Sequence, residues 1–216
     1  MKKRERPVKE YHKIDSLFKR DMESPKKPLL VGHYTREEFS YLALNCWEFT
    51  EKVDGTNIRV MLGEDGVSFG GKTDNAAIPA PLVKRLQERF LPQAERLAET
   101  FPQGVCLYGE GYGPKIQNGG NYRKDQDFVL FDIRVGVWWL NRESMLAIAN
   151  TLGLDVVPVV GIGDLRDAVA LVSAGFTSQW GPFPAEGIVC RPSVELKARN
   201  GDRIITKLKH RDFSAV

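Results

Sequence analysis

Glu51-Lys52-Val53-Asp54-Gly55-Thr56-Asn57 is the stretch on which the reading of this chain turns. A lysine, then a carboxylate two residues on, then a glycine stand between segments that alternate apolar and polar residues as strands do. Such a bend can set an amine nucleophile at a fixed point, although an ordinary turn between two strands asks for the same residues. Upstream, Trp47-Glu48-Phe49-Thr50-Glu51-Lys52 alternates with Trp47 and Phe49 on one face and Lys52 on the other, so this segment is read as the strand that delivers the lysine.

Downstream, residues 58–62 and 67–69 flank Gly63-Glu64-Asp65-Gly66, the turn chemistry of a β-hairpin. Gly70-Gly71-Lys72-Thr73 follows, two glycines that let backbone approach a ligand closely just before a lysine. Pro81 opens a helix whose Leu82, Leu86, Phe90, Leu97 and Phe101 form an apolar stripe, split at Pro92. The run Val105-Cys106-Leu107-Tyr108-Gly109-Glu110-Gly111-Tyr112-Gly113 reads as a buried strand entering a glycine-rich loop that carries Glu110, and residues 128–133 read as a strand with Asp132 near its end. Helices marked by Met145, Ala149 and Leu152 and by Leu165, Ala168 and Val172 close at Gly153 and Gly175, with residues 156–162 between them as a buried strand.

The last thirty residues are the most patterned. Ala185-Glu186-Gly187-Ile188-Val189-Cys190-Arg191 is a strand with a carboxylate at its mouth, residues 194–198 are another, and Asn200-Gly201 turns the chain into residues 203–209. There Lys207 and Lys209 face one way, Thr206 and Leu208 the other. Ahead of the central stretch, Tyr11, Ile14, Leu17 and Phe18 have the spacing of a short helix or turn, and Thr35-Arg36-Glu37-Glu38 reads as a helix start capped by Thr35. Hairpin strands alternating with separate helices predict an α+β domain of antiparallel sheets.

Composition narrows the class. The 216 residues suit one domain, expected over 11–216 behind a basic tail at 1–10, and 42% hydrophobic with 27% charged residues is ordinary for a globular protein. No run reaches the roughly 18 apolar residues of a membrane span, so a cytoplasmic protein without a membrane partner is expected. Cys46, Cys106 and Cys190 lie far apart, as do the histidines, which speaks against zinc and makes each cysteine a small core residue. A net charge of +3 permits a nucleic-acid partner, and lysine and arginine crowd both ends of the chain.

Singly, each element has a plain structural reading: Glu110 and Glu186 as solvated loop acids, Phe131 as core, Lys207 and Lys209 as the wet face of an edge strand. In order, Lys52-Val53-Asp54-Gly55, Leu107-Tyr108-Gly109-Glu110, Phe131-Asp132, Glu186-Gly187-Ile188-Val189 and Lys207-Leu208-Lys209 follow the motif order of covalent nucleotidyltransferases. The sequence resembles the ATP-dependent RNA ligases, in particular the nick-sealing type of bacteriophages, through residues 51–57, Gly-Lys-Thr-Asp at 71–74 and Phe-Asp-Ile at 131–133.

The resemblance implies an adenylyltransferase domain in which Lys52 takes AMP from ATP, AMP passes to an RNA 5'-phosphate, and a 3'-hydroxyl displaces it. It implies catalytic roles for Lys52, Asp54, Glu186, Lys207 and Lys209, with Glu186 binding Mg2+ (or Mn2+) or its water shell. For ATP it implies Glu51 beside the adenine, Asn57 and Lys72 on ribose and phosphates, Glu110 on the ribose hydroxyls, and Phe131 and Val189 on the two faces of the base. Lys207, Lys209 and the metal are suited to making Lys52 neutral enough to attack phosphorus. The implied partner is RNA, as a nicked duplex or 5'-phosphorylated ends, with RNA/DNA hybrids included, acted on by a monomer. Lys72 stands where relatives often carry arginine and lacks its fork, and an OB-fold domain after Lys209 is not expected. The alternatives are a DNA ligase, a capping guanylyltransferase, or a non-catalytic module that binds nucleic-acid ends.

Overall fold

The computed structural model describes residues 10–213; the basic tail expected at 1–10 lies, apart from Glu10, outside them. In chain order the strands are β1 (Asp15–Ser16), β2 (Phe18–Arg20), β3 (Leu29–Tyr34), β4 (Trp47–Glu51), β5 (Thr56–Gly63), β6 (Gly66–Gly70), β7 (Val105–Tyr112), β8 (Asp127–Val135), β9 (Trp138–Trp139), β10 (Val159–Gly163), β11 (Gly187–Pro192) and β12 (Thr206–Lys209). The helices are α1 (Glu37–Tyr41), α2 (Ala80–Phe90), α3 (Ala94–Thr100), α4 (Arg142–Leu152) and α5 (Leu165–Ala174). The described chain forms two compact units, one of residues 10–12 and Asp54–Val157, the other of Lys13–Val53 and 158–213. We call them the Glu110 unit and the Lys52 unit.

In the Lys52 unit, a five-stranded sheet has the order β1-β12-β11-β4-β10, antiparallel except for the β1–β12 pair. Trp47 and Phe49 of β4, Ile188 and Cys190 of β11 and Leu208 of β12 point to one face, where they pack on Leu165, Ala168 and Val172 of α5. α5 starts where Asp164 closes a capping box with Asp167 and ends at Gly175, whose φ of 77° suits glycine.

The Glu110 unit is built on a second five-stranded sheet, β6-β5-β7-β8-β9. The β5–β6 hairpin turns through Glu64-Asp65 as expected, with Gly63 paired to Gly66. Leu82, Leu86 and Phe90 of α2 and Leu97 of α3 bury the predicted stripe against Ile58, Leu107 and Phe128. The break at Pro92 is a single turn of 3-10 helix, since proline cannot donate into the α-helical ladder.

Several local expectations differ from what is found. Residues 11–14 carry no helix and lead into β1 and β2. Thr35 caps nothing: its hydroxyl donates to the Ser16 carbonyl at 2.6 Å, and α1 begins after Arg36 without a side-chain cap. The run 156–162 is not one buried strand, because Val156 bridges to Leu130 in the Glu110 unit while β10 is a half-exposed edge strand of the Lys52 unit. Residues 194–198 form no strand, and Lys197 makes an isolated bridge to Arg203 around the Asn200-Gly201 turn. Cys106 and Cys190 are core residues, and burial pushes the Cys106 thiol up to about 11, but Cys46 is exposed.

One buried charge centre ties the Glu110 unit together. Asp127, 1% exposed, accepts from Arg85 (3.1 Å), Arg89 (2.7 Å) and Arg123 (2.7 Å). Burial alone would raise its pKa; hydrogen bonds from Arg85, the Phe128 N–H and Arg89 overcome that and hold the carboxyl below its ordinary range. A group depressed on folding contributes stability above its unfolded pKa, and that contribution is lost as pH falls below about 4 through the lower folded value. Asp127→Ala, which removes the buried carboxylate that three guanidinium groups share, is expected to cost about 3 kcal/mol at pH 7 and much less near pH 2, read by urea unfolding at the two pH values.

Candidate active site

Strand register brings the predicted lysines together in the Lys52 unit. β4 pairs with β11 so that Glu51 lies opposite Ile188, and the Lys52 N–H donates to the Gly187 carbonyl at 2.9 Å just beyond the strand end. β11 pairs with β12 so that Gly187 lies opposite Lys209 and Val189 opposite Lys207. Side chains alternate along each strand, so Lys52, Val189, Lys207 and Lys209 share one face, the one opposite the α5 core. Glu186 precedes β11, with its own carbonyl taken by the His210 N–H at 2.9 Å. From there its carboxylate bridges two ammonium groups: Oε2 lies 2.6 Å from Lys52 Nζ and Oε1 2.7 Å from Lys209 Nζ. These side chains are 12 to 21% exposed, so the pairs are neither dry nor fully screened. Gly187 is required where it is, because a Cβ there would meet the Leu208 carbonyl oxygen at 2.0 Å.

Alternation sends Glu51 the other way. It is 1% exposed, and its carboxylate accepts from the Ser178 hydroxyl at 2.5 Å and the Gln179 N–H at 2.8 Å. Burial raises its pKa against those two hydrogen bonds. The Glu51 side chain thus braces the 178–180 turn on the core face rather than the face that carries Lys52. Ser178 and Gln179 carry no pattern in the sequence that would have marked them.

In the Glu110 unit the remaining predicted residues gather on one sheet. Asn57 of β5 pairs with Glu110 of β7. Asn57 has a buried Oδ1 that no group among the described residues satisfies, an acceptor suited to a ligand hydroxyl. Phe131 sits at a bulge in β8, where the register to β7 slips between Tyr108–Asp132 and Gly109–Leu130; bulges re-aim side chains, and Phe131 is half-buried rather than core. Tyr11 lies edge-on to Phe131 with ring centroids 5.1 Å apart, and its hydroxyl donates to Asp132 at 2.8 Å. Lys72 is exposed just past β6.

Asp54 accepts from Asn118 Nδ2 at 2.7 Å, while its N–H donates to the Tyr122 hydroxyl at 3.1 Å. Gly55 lies against β7, where a Cβ would come within 2.3 Å of the Gly111 carbonyl oxygen. Asn118 and Tyr122 carry no pattern in the sequence that would tie them to Asp54.

Among the described residues no cluster of three or more His, Cys, Asp or Glu forms a metal cage. Mg2+ does not need one, since it binds through one or two carboxylates, water and substrate phosphates, and Glu186 offers such a carboxylate.

Comparison with known proteins bears on family and fold. A family model described as RNA ligase matches residues 45–209. Among solved structures, a lysine-to-alanine mutant of Naegleria gruberi RNA ligase with ATP and Mn is 18% identical with a TM-score of 0.66, covering 96% of this chain and 64% of that one. An apo aspartate-to-alanine mutant of the same ligase is 17% identical with a TM-score of 0.65, covering 82% and 53%. The ligase with PPi is 20% identical with a TM-score of 0.63, covering 80% and 52%. At these identities the likeness is one of fold, and this chain spans about half the length of the apo ligase chain. The fold is the α+β nucleotidyltransferase fold that the motif order implied. Because the matched run takes in β4, β11 and β12 together, the strands that carry the lysines and meet at Glu186, the chain belongs to the RNA ligase family.

Proposed function

We propose that the protein is an ATP-dependent RNA ligase that joins a 5'-phosphate to a 3'-hydroxyl through an AMP-bearing Lys52. The observation that carries the reading is the Glu186 carboxylate held between Lys52 and Lys209. In the first step Lys52 Nζ forms a bond to the α-phosphorus of ATP, the bond to the bridging oxygen breaks, and pyrophosphate leaves as Nζ gives up its proton to solvent. Lys52 must be neutral for this.

Lys207 and Lys209 then oppose the charge gathering on the phosphate oxygens in all three displacements, so one set of residues serves the whole cycle. Mg2+, or Mn2+ as in the Naegleria ligase structures, when bound supplies further neutralisation of phosphate charge, with Glu186 as its protein ligand. Asn57, Lys72, Glu110 and Phe131 are proposed as ATP contacts, with Val189 as an apolar contact for the base and Asp54 as the residue that shapes the bend after Lys52. RNA is the proposed partner, bound with help from the basic residues at 1–10, and residues 11–216 are proposed as one functional domain.

Incubated with Mg2+ and labelled ATP, the wild type is expected to retain label after denaturation, and Lys52→Ala to retain none; a wild type without label overturns the reading. Glu186→Gln and Lys209→Ala are each expected to slow adduct formation by about a hundredfold or more, measured by quenched-flow labelling. GTP in place of ATP is expected to leave no adduct, which separates the ligase from a capping enzyme, and nicked duplexes with an RNA 3'-hydroxyl are expected to seal faster than all-DNA nicks. Truncation of residues 1–10 is expected to weaken RNA binding and flatten its salt dependence in a titration series.

A further inference from the structure

Arg59 is an unexpected residue for the middle of a central strand. It stands on β5 two residues after Asn57 and on the same face, opposite Tyr108 on one side and Gly70 on the other. Its side chain is 0% exposed. A buried guanidinium is costly, and an apolar residue would fill such a place more favourably. Its bonds go to one loop: Nε donates to the Gly71 carbonyl at 2.8 Å, and Nη2 meets Asp74 Oδ1 at 3.0 Å. Gly70 leaves the room, since a Cβ there would lie 2.8 Å from Nη2 and 3.1 Å from the guanidinium carbon. The two anchored residues bracket Lys72, whose own side chain is exposed.

We infer that Arg59 is a positioning residue for nucleotide binding: it moors Gly71 and Asp74 so that the Lys72 ammonium is presented at one place to an anionic oxygen of ATP. The inference rests on the reading of Lys72 as an ATP contact. Lys72 is a flexible point charge without the fork of an arginine, so its usefulness depends on a fixed backbone beneath it. Arg59 provides that fixity from inside the sheet, with the fork geometry that Lys72 lacks.

The test compares Arg59→Lys, which keeps the charge but cannot span both partners, with Gly70→Ala, which drives the guanidinium out of place, and with Lys72→Ala. Arg59→Lys and Gly70→Ala are each expected to raise the KM for ATP in Lys52 adenylylation about fivefold, the size of one lost hydrogen bond, with kcat changed less than about twofold. In a Lys72→Ala background Arg59→Lys is expected to add less than about a twofold further change, because both act through one group. Amide hydrogen exchange across residues 71–74 of the ATP-free protein is expected to speed up in Arg59→Lys. Asp74→Ala cuts the mooring from the surface, Asp74 being 54% exposed, and serves if the core variants do not fold.

An unchanged KM, full additivity with Lys72→Ala, or unchanged exchange alongside a normal wild-type adduct overturns the inference. A wild type that forms no Lys52 adduct overturns the ligase reading itself, and exchange across 71–74 then still decides whether the mooring exists.

Discussion

Three strands in fixed register place one carboxylate between two ammonium groups, and the charge arrangement of the Lys52 unit depends on that placement. Lys52 directly follows β4, Glu186 directly precedes β11 and Lys209 closes β12. Since β11 pairs with both neighbours, the ends of all three strands meet at its first residue, Gly187. A slip of one residue in either pairing would turn a lysine into the α5 core and strand it there without water. The apolar alternation of Trp47 and Phe49, Ile188 and Cys190, and Leu208 forbids that slip. The core thus determines the geometry of charges it never touches.

The same alternation separates two residues that are adjacent in sequence. Lys52 faces the open side of the sheet, while Glu51 is drawn into the core face and satisfied by Ser178 and Gln179. A charged pair read along the chain as one motif becomes two parts, one on the open face beside Glu186 and one bound into the core face. Asp54 has a comparable divided role, its side chain and backbone held by Asn118 and Tyr122 from a loop more than sixty residues away.

In the Glu110 unit, polar groups are set into the sheet rather than hung from its edges. Asn57 and Arg59 lie on the same face of β5, and each leaves one buried polar atom without a partner among the described residues. Such atoms are uncommon in a sheet that has only to be stable. The bulge at Phe131 is of the same kind, a local irregularity that turns an aromatic ring out of the core against Tyr11.

What the amino-acid order determined by itself was period and punctuation: the strand that leads to Lys52, the hairpin at Glu64-Asp65, the helix broken at Pro92, the helices closed by glycine, and the two lysines on one face of β12. Those follow from local sterics and from the apolar spacing, which act over a few residues. The motif order pointed to the family, and so to Lys52, Glu186 and Lys209 as partners. Only the tertiary structure decided that Glu186 bridges both lysines, that Glu51 belongs to the core face, that Thr35 bonds Ser16 instead of capping α1, and that residues 156–162 divide between two units. Each of these turns on which distant segment lies alongside, and a pairing between segments far apart in the chain leaves no mark in the spacing of either one.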